Sequence, residues 1–165
     1  MSDLFKKFEH PINIGLSFGL ASGVITTLGL LVGLNAGTHS KLVVLGGILT
    51  IAIADAFSDA LGIHMSEESE NKHTESEIWV ATFMTFLFKF IFASTFLIPI
   101  LLLNLDEAVI VSIAWGLFLL LVYSYRLAKR AKISTWGVIR EHLLIAVLVI
   151  IITNSVGNWI AANFS

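Results

Sequence analysis

Cysteine is absent from this 165-residue sequence. That excludes disulfides, iron–sulfur clusters and thiolate metal sites, so any bound metal must take oxygen, imidazole or thioether ligands. Charge is also scarce, at 13% of residues, where a soluble domain carries about a quarter. Net charge is −2, and Arg126 to Lys132 is the one sustained basic stretch, so nucleic acid is not expected as a partner. There is no nucleophile elbow, no phosphate-binding glycine loop and no HExxH. The sequence therefore gives no sign of an enzyme.

What is present is apolar. Hydrophobic residues make up 56% of the chain, mean hydropathy is +0.88, and the apolar residues fall in long runs. A helix needs about 20 such residues to cross roughly 30 Å of hydrocarbon. Five segments qualify: 12–36, 42–65, 78–103, 108–125 and 135–160. The expected fold is an all-α integral membrane protein, a single transmembrane domain over residues 1–165, multi-pass in the cell membrane with lipid around it. Ahead of the first span, Leu4, Phe5 and Phe8 share one helical face. That pattern suggests a short interfacial helix over 1–11, ended by Pro11.

Orientation follows from the Lys/Arg bias of the connecting segments. With the N-terminus in the cytoplasm, the inside segments carry Lys6, Lys7, Lys72, Arg126, Lys129, Arg130 and Lys132, and the outside segments only Lys41. The C-terminus then lies outside. Thr74 followed by Glu77, just before the run from Ile78, reads as a capping box that starts the third helix.

Ionisable residues inside a span are costly and point to function. The second span carries Asp55 and Asp59, four residues apart and so on one helical face. Counted from Met65 at 1.5 Å per residue, Asp55 lies about 15 Å deep, near the bilayer midplane. In the first span Ser22 and Thr26 repeat the four-residue spacing at similar depth, beside glycines at 15, 19 and 23 and at 29, 33 and 37. Small residues at that spacing let helices approach closely. Oxygen ligands converging at one depth suit a hard or borderline divalent cation.

Lys89 lies about 11 residues into the third span, again at mid-depth. It either pairs permanently with an aspartate or alternates there with metal or protons. The fifth span contains Arg140, which can snorkel to the surface, and Glu141, which must face the bundle or a wet cavity. The segment from His64 to Glu77 holds His64, Glu67, Glu68, Glu70 and His73, and five glutamates in all. These residues would concentrate cations at a cytoplasmic entrance; a merely solvated acidic loop is the alternative.

Taken together these residues resemble the vacuolar iron transporter family, five-helix, proton-coupled, homodimeric exporters of ferrous iron and manganese. FGLASGVITTLGLLVGL at 18–34 and ADAFSDALGIHMSEESE at 54–70 are similar to the family's motifs in the first two helices. Ile98–Pro99, Glu141-His-Leu-Leu-Ile, Thr153 and Gly157 resemble its later ones. Three positions depart. The family's first-helix aspartate falls at Ser22, its second-helix methionine at Asp59, and a second-helix glutamate at Ile63. The family's cytoplasmic metal-binding helices shrink here to the glutamate-rich segment.

The resemblance implies a homodimer that moves Fe²⁺ or Mn²⁺ out of the cytoplasm by proton antiport, with no tightly bound cofactor. On this reading Asp55 and Asp59 from both protomers would ligate the metal, with Ser22 and Thr26 lining the path; Glu141 is the leading candidate for the proton carrier, and Lys89 would couple to protons or hold an ion pair. Two other readings stand beside it: a non-transporting protein of the same fold in which Lys89 neutralises the carboxylates, and a transporter of another cation.

Overall fold

The structure, a computed structural model, describes residues 2–164, with side chains from Lys7 onward. All the elements among these residues are helical: α1 (Ser2–Thr38), α2 (Lys41–Glu70), α3 (Glu75–Thr95), α4 (Leu97–Leu102), α5 (Leu105–Ala131) and α6 (Thr135–Phe164). Among them are five stretches long and apolar enough to cross a membrane: Lys7–Thr38, Lys41–Glu70, Glu75–Leu102, Leu105–Ala131 and Thr135–Phe164.

The helices form two compact units, one of Met1–Gly23 with Leu49–Thr95 and the other of Val24–Ile48 with Phe96–Ser165. In the first unit α1 packs against α3 through its glycines. A Cβ placed on Gly15 would lie 2.5 Å from the Met84 Cβ, and one on Gly19 2.8 Å from the Lys89 backbone nitrogen. Real side chains do not approach so closely, so only glycine admits the α3 backbone here. Thr82 and Thr85 donate their hydroxyls to the carbonyls of Ile78 and Ala81, which satisfies those groups inside an apolar helix.

In the second unit the other three α1 glycines meet α6. A Cβ on Gly29 would lie 2.9 Å from Val149, and one on Gly33 or Gly37 would lie 3.4 Å from the carbonyl oxygen of Thr153 or Gly157. The two glycine runs thus serve two different partner helices. Asp106 and Glu107 open α5, and Lys129 and Arg130 close it, in the sense the helix dipole favours.

The local starts and stops have identifiable causes. Thr74 donates its backbone N–H (2.8 Å) and its hydroxyl (2.6 Å) to the Glu77 carboxylate, so the glutamate half of the expected capping box forms. α3 stops at Thr95, four residues before Pro99, whose ring and missing N–H cannot continue the i→i−4 ladder onto the Thr95 carbonyl. Pro11, by contrast, does not end a helix as expected; α1 runs straight through it. The loss is a single bond to the carbonyl of Lys7, an exposed residue where water can replace it. The side chains of Leu4 and Phe5, two of the three that would form the interfacial face, lie outside the described residues.

Candidate functional site

The chemistry of the first unit centres on Lys89. Its side chain is buried, 1% exposed, on the α3 segment that the α1 glycines clasp. An ammonium there has to find acceptors. It reaches three: the carboxylates of Asp55 and Asp59, one turn apart on α2, and the hydroxyl of Ser22 on α1. The Nζ lies 2.5 Å from Asp55 Oδ2 and donates to Asp59 Oδ2 and, at 2.8 Å, to Ser22 Oγ. The Asp55 contact is a close charge pair without hydrogen-bond alignment.

The structure pairs Lys89 with both aspartates, a contact common to the permanent and the alternating arrangement. Two carboxylates and one ammonium leave a net charge of −1 in an apolar helix cluster. The carboxylates are not sealed, at 27% and 18% exposed. They border a stripe of small exposed residues on α2: Thr50, Ala54, Ser58, Gly62 and Ser66.

Other expected site residues are distributed differently. Thr26 lies one turn beyond Ser22 along α1, within the second unit, and Glu141 is exposed on α6 in that unit. Helix α2 runs on to Glu70, so Glu67, Glu68 and Glu70 sit on its last turns. His73 and Glu67 come together, with Nδ1 and Oε2 2.7 Å apart. Glu70 pairs with Lys72 at 3.1 Å, Glu68 is exposed, and His64 instead turns to Thr82 at 3.0 Å and lies tilted against the Trp79 ring. Among the described residues no three His, Asp or Glu side chains assemble as a metal cage.

Two contacts escaped sequence reasoning. His10 lies against His73, ring centroids 5.3 Å apart, and in the second unit the buried Ser124 hydroxyl meets His142 Nδ1 at 2.8 Å. Residues 63 or 18 positions apart leave no local pattern by which the sequence could have paired them.

No curated protein and no solved structure matches the chain significantly. One family model does, over residues 16–79, and its description is the VIT family. That stretch holds Ser22, Asp55 and Asp59 together with both helix motifs. The VIT family is one of transporters rather than enzymes, and with the five apolar helices the match indicates a multi-pass membrane protein. The match covers residues 16–79, the stretch whose two helix motifs carry the resemblance to the vacuolar iron transporter family.

Proposed function

We propose that this protein moves a divalent metal ion, Fe²⁺ or Mn²⁺, out of the cytoplasm in exchange for protons. It would do so as a homodimer in the cell membrane with the ion path at the subunit interface. The observation that carries the reading is the contact of one buried lysine with two partly open carboxylates. Lys89 acts as a resident cation. An arriving metal ion takes Asp55 and Asp59, whose two negative charges match its own, with Ser22 and Thr26 supplying oxygen along the path. As the ion takes the carboxylates, Lys89 would release its proton to the cytoplasm, since two cations side by side in an apolar site repel each other. A proton taken from the outer side would return the competitor and expel the ion there.

Lys89 takes the proton-carrying role in preference to Glu141, because it alone touches the carboxylates. The small exposed stripe on α2 supports the dimer: residues of that size let a second copy approach closely, beside the carboxylates. The N-in orientation rests on the Lys/Arg bias of the loops. His73 with Glu67 gives the entrance its one preformed imidazole–carboxylate pair. Replacement of a thioether by Asp59 favours the harder ion, Mn²⁺.

A second reading, a fixed ion pair without transport, is favoured by the contact of Lys89 with both carboxylates. Thermal unfolding of the purified protein separates the two. Under the transport reading Mn²⁺ raises the melting temperature of the wild type and not that of Asp55→Asn. An unchanged wild-type curve at saturating Mn²⁺ would favour the fixed pair.

A further inference from the structure

The second unit contains a separate charged feature. α5 and α6 are joined by a turn of only three residues, 132–134. Lys132 adopts a left-handed conformation with φ 55°, and the N–H of Ile133 closes onto the Ala128 carbonyl at 3.1 Å. Arg126, Lys129 and Arg130 lie in the last turns of α5, and Arg140 lies five residues into α6. At 1.5 Å per residue, all of them fall within about 8 Å of the turn along the helix axes. From Ala108 to Arg140 there is no acidic residue. Glu141 follows directly, so the five cations and this carboxylate leave a local charge of +4, in a chain whose net charge is −2.

A Lys/Arg excess alone is what membrane orientation requires. The groove beside it is not explained in that way. The first turns of α6 line an open groove of about 760 Å³, walled by Trp136, Ile139, Leu143, Leu144 and Val147, with Arg140 its one charged wall residue. Trp136 is 81% exposed, an amphipathic ring of the kind that settles at headgroup level. An apolar trough with a guanidinium midway along it, a tryptophan towards the turn and leucines and valine beyond, on a helix apolar enough to span a bilayer, has the form of an amphiphile site.

We propose that this turn binds an anionic phospholipid from the surrounding bilayer. The phosphate sits on the Arg140 guanidinium, which can hold two of its oxygens at once. Lys129, Arg130 and Lys132 raise the local concentration of anionic headgroups, and an acyl chain lies in the groove along Leu143, Leu144 and Val147. A zwitterionic lipid would fit the groove but gain little from the charge. A free anion would gain from the charge but leave the groove unused.

Native mass spectrometry of the purified full chain tests this. The added probes are phosphatidylglycerol, phosphatidylcholine and inorganic phosphate. Phosphatidylglycerol should be retained in clear preference to phosphatidylcholine, and inorganic phosphate should not displace it. Arg140→Gln should lower phosphatidylglycerol occupancy about fivefold and leave phosphatidylcholine unchanged. Leu144→Trp, which fills the groove and keeps every charge, should lower it as well. Equal retention of the two lipids, full retention by Arg140→Gln, or ready displacement by inorganic phosphate would each overturn the assignment.

Discussion

Lys89 Nζ lies 2.5 Å from Asp55 Oδ2, an ammonium on one apolar helix against a carboxylate on another. The same nitrogen reaches Asp59 and Ser22. Each partner is individually costly to place in an apolar span, and the contact lowers that cost. In the proposed mechanism it also puts a positive charge where the metal ion would bind, so lysine and metal would compete for the two carboxylates.

The first prediction concerns that lysine. Lys89→Met removes the cation and strands two carboxylates, which should lower unfolding stability in detergent by about 3–5 kcal/mol. Adding Asp59→Asn removes one stranded charge and should recover part of the loss. Denaturant unfolding of the single and double variants measures both. A double variant less stable than Lys89→Met would contradict the pairing.

A second prediction concerns the α1–α3 contact. The Cβ of an alanine would sit 2.5 Å from Met84 at position 15, 2.8 Å from Lys89 at 19 and 3.1 Å from Lys89 at 23. Overpacking of this kind costs about 1–3 kcal/mol. Loss of melting temperature should therefore follow the order Gly15→Ala, Gly19→Ala, Gly23→Ala, largest first. An inverted order would mean that α1 and α3 pack differently.

The sequence made some of this arrangement legible and left the rest hidden. Long apolar runs set the helices, and the i, i+4 spacing put Asp55 and Asp59 on one face. Depth counting then brought Ser22 and Lys89 to the same level. It did not decide whether Lys89 touched one carboxylate, both or neither, because that depends on how α2 and α3 pack, which spacing along either helix does not set. The glycine runs announced close packing but not that Gly15 to Gly23 take α3 while Gly29 to Gly37 take α6. Pro99 stopped a helix and Pro11 did not; a proline's effect depends on what else satisfies the freed carbonyl.

The α2 stripe yields a third prediction. A Cβ added at Gly62 would meet nothing within 4 Å inside the chain, and Ser58 is exposed. Gly62→Leu should leave the monomer folded and shift the purified protein from dimer to monomer. Light scattering with circular dichroism reads mass and helicity together. An unchanged dimer would remove this face from the interface.

Ion preference gives a fourth. Asp59→Met restores the thioether that the family resemblance places at this position and should shift selectivity from Mn²⁺ towards Fe²⁺. Competition uptake under anaerobic conditions measures the ratio. A ratio equal to that of the wild type would show that Asp59 does not contact the ion.

Whether Asp55 holds a transported ion decides the mechanism. Mn²⁺ uptake into proteoliposomes answers this, with wild type and Asp55→Asn reconstituted at equal density under an imposed proton gradient. Gradient-dependent uptake by the wild type and only background uptake by Asp55→Asn are expected. Indistinguishable rates would mean that Asp55 carries no ion.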